Sequence, residues 1–384
     1  MILRYLFMES KKKVFIIAAE PSADLIGYEI ISSFNKLKNK YEFHGIGGDK
    51  MASLGFESLI DIKLLSVNGI VEVLMQILSL INILKKVERY IRQLKPNIII
   101  TIDAPSFNYR LIKRLQDLRN NSMFVHFVAP TVWAWKEKRA RQFGKKYDLL
   151  LTLFKFEPKF FHPFNKNTFC IGHPIFFKKE IIKNKQNKKL ITIFPGSRKN
   201  EIRYILPKIL KSVYLFKKKY SGYEFIILSI PSLRNDIEKI LKRKKCLIKV
   251  VCEIERKNLL LYKSFFSVAA SGTVVLEIAK ANVPMIVVYD SNFITSLFVK
   301  KMVKVKWANI INIIFDTHVV PELLFDKFTP KLVFEEMQKL VENKNEIERQ
   351  LLVFKKLKKE LTIKNVDPTQ IAVRKINTGK GAVT

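Results

Sequence analysis

Short apolar runs alternate with longer amphipathic segments through the first half of the chain. The runs end in small or turn-forming residues, and each leads into a loop or a segment with helical periodicity. Near-continuous apolar strands separated by helices indicate a parallel sheet covered on both faces. The predicted strands lie within residues 13–20, 41–48, 97–105, 122–130, 147–154 and 169–174.

A second set of strands follows a lysine-rich stretch, 178–189, that has no core pattern and is predicted to be a linker. These strands lie within 189–197, 224–231, 248–253, 264–271 and 284–290. The pattern predicts the α/β class, with two doubly wound, Rossmann-like domains and a cleft between them. The first domain is predicted over 1–178, the second over 179–354, and a disordered tail over 376–384. In open α/β sheets, ligands bind beyond the carboxyl ends of the strands.

Composition narrows the choice of partners. The 384 residues carry a net charge of +35, which favours anionic partners such as membranes or phosphorylated substrates. The lysines are spread over the whole chain, and no basic run is interleaved with aromatic residues, so nucleic acid is not expected as a partner. The three cysteines lack C-x-x-C spacing and the five histidines form no H-E-x-x-H motif, so we expect a reducing compartment and no metal. No signal peptide and no membrane-spanning segment is predicted.

The sequence FPGSRKNEI, 194–202, follows the first strand of the second domain. A Pro-Gly-Ser turn leads directly to Arg198, whose guanidinium is suited to bidentate contact with phosphate. The alternative is an ordinary surface arginine in a turn.

The sequence ASGTVVLE, 270–277, offers a second site for phosphate in the same domain. Ser271 and Thr273 stand at a predicted helix start, where backbone amides attract anions, and Gly272 permits close approach. Glu277 lies one turn further along, where its carboxylate could bind a ribose. The alternative is a capped helix with a solvated glutamate.

Two motifs of the first domain place acidic residues at strand ends. AAEPSADLIG, 18–27, brings Glu20, Ser22 and Asp24 close together, although Ser22 and Asp24 are also suited to capping a helix and to its first turn. IDAPSFN, 102–108, ends an apolar strand with Asp103, which serves either as a cap or as a functional group facing the predicted cleft.

Three other features of the predicted first domain have structural interpretations. The glycines of HGIGGDKM, 44–51, lack the spacing of a dinucleotide-binding motif, so a nicotinamide enzyme is rejected. His126 is interpreted as a core or strand-end histidine. The segment 129–142, with two tryptophans, is either a packed aromatic corner or part of an acceptor pocket.

These motifs, in this order, resemble the bacterial lipid-A-disaccharide synthase family, and the resemblance runs through most of the chain. It covers AAEPSADLIG, GIGGDKMASLGFE, SVNGIVEVL, IDAPSFN, VWAWKEKR, FPGSRKNEI, ASGTVVLE and INIIFDTHVVPELL. It implies the GT-B glycosyltransferase fold and a segment, about 355–375, that returns to the first domain. The implied reaction joins UDP-2,3-diacylglucosamine to 2,3-diacylglucosamine 1-phosphate (lipid X), with inversion. The implied products are a β-1,6-linked disaccharide 1-phosphate and UDP, and neither a metal nor a cofactor is required.

The resemblance also implies roles for particular residues. The diphosphate would meet Ser271, Gly272 and Thr273, the ribose would meet Glu277, and Arg198 would neutralise charge on the departing UDP. Asn312 is expected in the same donor site. Asp103 is the expected base, with Glu20 as the second choice and Ser22 beside it. The sequence departs from the usual family pattern at Ala23, Ser106, Ile311 and in IGHPIFFK.

Acylated substrates imply a cytoplasmic enzyme that associates peripherally with the anionic surface of the inner membrane. The apolar helix near 70–84 and the basic stretch 293–307 are candidates for that contact, with core packing as the alternative. A homo-oligomer is compatible with the sequence. Two other functions stay open: a GT-B transferase or 2-epimerase that uses UDP-GlcNAc without a lipid, and a non-catalytic basic module.

Overall fold

A computed structural model describes most of the chain and divides it into two compact units. The first comprises Met1–Pro174 together with Glu360–Thr384, and the second comprises Ile175–Lys359. The described residues are 11–37, 41–65, 77–133, 138–177, 187, 189–291 and 306–378.

The first unit is built on a six-stranded, fully parallel sheet. In chain order its strands are β1 Lys12–Ala18, β2 Tyr41–Ile46, β3 Ile98–Ile102, β4 Met123–Phe127, β5 Leu149–Thr152 and β6 Thr168–Cys170. Their order across the sheet is β2-β1-β3-β4-β5-β6. The direction of winding therefore reverses between β1 and β3, which makes this pair the topological switch point of the sheet.

Helices cover both faces of this sheet. They are α1 Pro21–Asn35, α2 Asp49–Ala52, α3 Ile77–Leu94, α4 Pro105–Arg114, α5 Lys138–Lys146, α6 Pro158–Phe161 and, near the C-terminus, α14 Pro368–Thr378; 3₁₀ turns span Ile62–Leu64 and Gln116–Asn120. Alternate residues of β1 enter different cores: Val14 and Ile16 pack with one cluster, and Phe15 and Ile17 with another. This two-residue period explains why the strand is apolar without interruption.

The second unit contains another six-stranded parallel sheet. Its strands are β7 Leu190–Phe194, β8 Glu224–Leu228, β9 Lys249–Val251, β10 Phe266–Ala270, β11 Met285–Tyr289 and β12 Glu322–Leu324. The order β12-β11-β10-β7-β8-β9 is the Rossmann order, and its switch point lies between β7 and β10. The predicted α/β class, with two doubly wound sheets, is confirmed.

The helices of the second unit follow its strands in the same alternating manner. They are α7 Lys199–Lys219, α8 Arg234–Arg243, α9 Ile254–Lys263, α10 Val274–Lys280, α11 Ile310–Phe315, α12 Pro330–Glu342 and α13 Lys344–Leu361, whose last two residues belong to the first unit; 3₁₀ turns span Pro174–Phe176, Pro231–Leu233 and Phe325–Lys327. One large apolar cluster joins α7, α8 and α12 to the sheet.

Some boundaries differ from the sequence prediction. The strand β12 was not predicted, because three residues are too few to show a period. Helix α14 continues to Thr378 and buries Ile376, so the start of the predicted tail at 376 was wrong. Most of the predicted linker, most of the basic stretch 293–307 and residues 70–76 lie outside the described residues. Within the part of the chain that is described, no helix is long and apolar enough to cross a membrane.

Candidate active site at two switch points

The turn after β7 brings Arg198 to the switch point of the second sheet. Gly196 has a φ of +120°, and a Cβ there would lie 2.5 Å from Oε2 of Glu201. Glu201 accepts hydrogen bonds from the backbone amides of Ser197, at 2.8 Å, and Arg198, at 3.3 Å. Its other oxygen lies 3.3 Å from Nη1 of Arg198, whose side chain is 63% exposed. Glycine is therefore needed for both the conformation and the space, and the guanidinium is left accessible to an anion.

The turn after β10 stands beside that first turn, because Ala269 pairs with Phe194 in the sheet. Thr273 is the N-cap of α10, but neither its hydroxyl nor that of Ser271 caps the helix; Ser271 donates to the carbonyl of Ala308 at 3.3 Å. The capping alternative for these two residues was therefore wrong. A Cβ on Gly272 would meet nothing within 4 Å. Glu277 is exposed on the same helix.

Asn312 does not present its side chain to a ligand. It is fully buried in α11, and its Oδ1 accepts from the amides of Val319 and Val320. Its Nδ2 donates to the carbonyl of Val320 at 2.9 Å and to Glu322 at 2.7 Å. With all of these bonds made inside the unit, the predicted direct contact with the donor is replaced by a structural role.

Asn312 is linked through Glu322 to the loop that contacts the Ser271 turn. The Glu322 carboxylate also accepts from the amides of Ala308, at 2.8 Å, and Asn309, at 2.9 Å. The carbonyl of Ala308 is the acceptor for Ser271. A buried amide thus fixes the loop against which the Ser271 turn is held.

Asp103 occupies the switch point of the first sheet in a strained conformation. Asp103 and Ala104 are consecutive non-glycine residues with left-handed φ angles of 48° and 43°. The amide of Asp103 donates to Phe127 O at 2.9 Å, and its carbonyl accepts from Nδ2 of the buried Asn108 at 2.6 Å. Such conformations cost free energy and persist where the surroundings hold them, which is typical of functional sites.

The electrostatics of Asp103 suit a proton acceptor. Burial raises the pKa of its carboxyl, and the negative charge of Glu20 raises it further, to about 6, against the lowering effect of the Ala104 amide. Glu20 lies two residues after the end of the neighbouring strand β1, whose last residue Ala18 pairs with Ile102. It is exposed at the N-cap of α1 and does not cap the helix through its side chain. The two carboxylates therefore face one region at the carboxyl edge of the sheet.

Ser22 does not cap α1, whereas Asp24 does lie in the first turn of α1 and in addition anchors a neighbouring loop. Ser22 is exposed inside α1 and makes no capping bond. Asp24 is only 3% exposed and accepts from the amides of Gly48, Lys50 and Met51, at 2.7, 2.9 and 3.1 Å. Its carboxylate therefore anchors the glycine-rich loop and the start of α2. A Cβ on Gly48 would lie 2.8 Å from that carboxylate, which explains a glycine there without a nucleotide.

A further carboxylate is buried near the ends of β4 and β5. Glu157 accepts from Nε1 of Trp133 at 3.0 Å and from the amides of Leu153 and Phe154 at 3.1 and 3.0 Å. Burial raises its pKa to about 7 despite these donors. Trp133 also packs edge-on against Phe156, so the part of segment 129–142 that is described forms a packed aromatic corner.

His126 is a core residue, as interpreted from the sequence. It is fully buried between Phe143 and Tyr147, its Nδ1 lies 2.8 Å from Oγ1 of Thr101, and burial lowers its pKa to about 3. A histidine that stays neutral and inaccessible is not suited to act as a base on a substrate.

Sequence reasoning missed the residues that shape these turns. Glu201 follows the N-cap residue Arg198 at the three-residue spacing of a capping box, and that signal could have found it. Asn108 and Glu157 carry no such local signal, because their partners are set by the way the loops fold.

Polar turns at the switch points of two Rossmann-like sheets define a protein of the GT-B class. The solved structures that it resembles include UDP-GlcNAc 2-epimerase from Neisseria meningitidis bound to UDP-GlcNAc, with a TM-score of 0.62, 13% identity and coverage of 95% of this chain and 98% of that one. The spinosyn rhamnosyltransferase SpnG, complexed with thymidine diphosphate, has a TM-score of 0.59, 8% identity and coverage of 95% and 100%. At these identities the likeness shows the fold alone.

Relatives in sequence identify the family. A profile described as lipid-A-disaccharide synthetase matches residues 14–376. The lipid-A-disaccharide synthase of Rickettsia prowazekii is 32% identical over 376 residues, which cover 94% of this chain and 98% of that protein. That of Vibrio parahaemolyticus is 32% identical over 351 residues, with coverage of 88% and 92%. The chain belongs to the lipid-A-disaccharide synthetase family, and it is therefore a glycosyltransferase of lipid A biosynthesis.

Proposed function

We propose that the protein transfers the sugar of UDP-2,3-diacylglucosamine to 2,3-diacylglucosamine 1-phosphate. The products are the β-1,6-linked disaccharide 1-phosphate and UDP. The observation that carries this proposal is that the motifs for an anion and for a base fall at the switch points of the two sheets. Ligands of open α/β sheets bind at such points.

The second unit would hold the donor. Arg198 presents an exposed guanidinium beside the Ser271–Gly272–Thr273 turn, so a diphosphate bound there would meet a cation and open backbone. Charge develops on the departing UDP during transfer, and a preorganised cation that stabilises it lowers the barrier. Glu277, exposed one turn into α10, would accept hydrogen bonds from the ribose.

The first unit would activate the acceptor. Asp103, with a pKa of about 6, is mostly ionised at neutral pH and still basic enough to accept the proton of the acceptor hydroxyl. As the hydroxyl oxygen attacks the anomeric carbon from the face opposite UDP, its proton passes to the Asp103 carboxylate and the bond to UDP breaks. Glu20 would keep Asp103 basic, with Ser22 exposed beside it.

UDP release that depends on both substrates tests the reaction. We expect UDP from the diacylated donor only when lipid X is present. Turnover of UDP-GlcNAc to its 2-epimer, without an acceptor, would instead assign the protein to the epimerases of this fold. Absence of both activities in a folded protein that binds UDP would contradict the proposal.

Acylated substrates also require access to a membrane surface, and the protein is proposed to associate peripherally with the inner membrane. Helix α3 is amphipathic, with Ile83 and Val87 buried and Leu78 76% exposed. Lys85 and Lys86 are exposed about two turns further along the same helix. An amphipathic helix that exposes both apolar and cationic side chains is suited to the boundary between headgroups and acyl chains.

A further inference from the structure

A basic groove on the second unit belongs to none of the sites described above. It is a cavity of about 620 Å³ between α7 and α8. Lys199, Arg203 and Pro207 are spaced at four-residue intervals on α7, so they share one face of that helix. The volume is in the range of cavities that hold small ligands. The cationic residues that line the groove are Lys199, Arg203, Lys239, Arg243 and Lys244.

The groove is more basic than the chain as a whole. Its five cationic side chains face one carboxylate, that of Asp236, which lies 3.9 Å from Lys199. The chain overall has 69 basic and 34 acidic residues, a ratio of about two to one. Among the described residues, Lys239, Arg243 and Lys244 form no salt bridge, and all three are exposed. These charges therefore lack internal compensation.

The floor of the groove is apolar. Ile202, Pro207 and Ile240 line it between the cations. A cavity with a cationic rim and an apolar floor fits an amphiphilic anion better than a fully hydrated one, because the floor would otherwise stay in contact with water.

An exposed leucine lies close to one end of this groove. Leu247 is 98% exposed, three residues after Lys244 in the loop that leads to β9. Three residues span at most about 11 Å, so the leucine and the lysine belong to the same local surface. Every charged residue from 239 to 252 is basic. An isolated apolar side chain within a basic loop is typical of segments that contact anionic membranes.

We propose that the α7–α8 groove binds the headgroup of an anionic phospholipid while Leu247 enters the acyl boundary. The inference extends the proposed peripheral membrane association, on which it rests, to a second surface with a defined ligand class. None of the lining residues is among those assigned to the UDP-sugar or the acceptor.

Sedimentation of the full chain with phosphatidylcholine vesicles, with and without phosphatidylglycerol at one fixed salt concentration, tests the groove. The variant combines Arg203→Ala, Lys239→Ala and Arg243→Ala. The matched control combines Lys355→Ala, Lys356→Ala and Lys358→Ala, which removes equal charge from exposed positions of α13.

The groove variant should bind anionic vesicles on the order of 100-fold more weakly, since each basic residue near such a surface contributes roughly fivefold. The control variant should lose only a few-fold. Equal losses in the two variants would show that net charge alone drives binding, and that result overturns the groove. Leu247→Ser should weaken binding several-fold to both kinds of vesicle, and unchanged binding would remove Leu247 from the contact.

Two further measurements separate this inference from its alternatives. Calorimetry would show whether inorganic phosphate binds to the groove. Saturable phosphate binding, together with vesicle binding that the groove variant does not weaken, would assign the groove to a soluble anion and overturn the lipid assignment. UDP release from detergent-dispersed substrates should be unchanged in both triple variants. Loss of transfer in the unmodified protein contradicts the proposed reaction, whereas normal transfer without selective vesicle binding contradicts only the groove.

Discussion

Asp103 and Glu20 form a pair of carboxylates at adjacent strand ends in which one controls the basicity of the other. Burial raises the pKa of Asp103, and the negative charge of Glu20 adds to that effect. The pair lies at the topological switch point of the first sheet, between the neighbouring strands β1 and β3. Although the two residues are far apart in sequence, they interact electrostatically, and replacing each of them should affect the reaction differently.

Replacing Asp103 with asparagine keeps the shape of the side chain and removes the base. We expect turnover to fall by about 100- to 10,000-fold, the usual loss when base catalysis is removed. UDP affinity should stay within a few-fold of normal, because the residues proposed to bind the donor are in the other unit. Steady-state kinetics and calorimetry with UDP would measure both, and near-normal turnover would move the base to another residue.

Replacing Glu20 with glutamine removes the charge that raises the pKa of Asp103. In the unmodified protein, kcat/KM should fall as pH drops through about 6, because Asp103 becomes protonated. In Glu20→Gln the pKa of Asp103 is lower, so the acid limb of the profile should move to lower pH. If the acid limb of the kcat/KM profile lies at the same pH in Glu20→Gln, Glu20 does not influence the group whose titration limits the reaction.

Arg198→Ala should weaken UDP binding while the fold is retained. Charged hydrogen bonds contribute roughly 1.5–3 kcal/mol, which corresponds to about 10- to 100-fold in affinity. Arg256→Ala removes an exposed arginine from the same unit and serves as the control. UDP affinity by calorimetry that is the same in both variants would remove Arg198 from the donor site.

Glu277→Gln separates a ribose contact from an ordinary helix residue. The ribose role predicts UDP affinity reduced about ten- to hundredfold, with the thermal midpoint of the ligand-free protein unchanged, since glutamine is also a good helix former. Glu255→Gln, at another exposed helical position, is the control. Unchanged UDP affinity would show that Glu277 is an ordinary solvated helix residue.

Asn312→Ala tests whether this residue supports the loop or contacts the donor. The substitution breaks four internal hydrogen bonds and leaves buried groups unpaired, so the free energy of unfolding should fall by about 2–4 kcal/mol. Urea unfolding measures this, with the exposed Asn345→Ala as control. Normal stability combined with lost UDP binding would restore a direct contact.

The sequence predicts what depends on local pattern. The apolar runs that became β3 and β7 are buried throughout, and their ends carry Asp103 and the Arg198 turn. Local sequence patterns do not predict which strands are neighbours in a sheet. The pairing of β7 with β10, which brings together the two turns of the proposed donor site, is therefore seen only in the structure.

Asn312 shows why a motif alone misplaces a side chain. The resemblance predicts a contact with the donor, but the partners of the side chain, Val319, Val320 and Glu322, are fixed by the course of the chain after α11. Asp24 is similar, because its anchoring of the amides around Gly48 depends on the packing of α2 against α1. In both cases a polar side chain near the candidate site accepts hydrogen bonds from backbone amides and so fixes a loop.

The return of α14 to the first unit has a consequence for synthesis of the chain on the ribosome. Ile30 and Phe34 of α1 share a core with Val373 and Ile376, and Ser33 bonds to Thr369 at 3.0 Å. The whole second unit is translated between these partners. At roughly 5–20 residues per second, that takes on the order of ten seconds or more. For that interval the nascent first unit exposes an apolar face of α1, the kind of surface that holding chaperones bind.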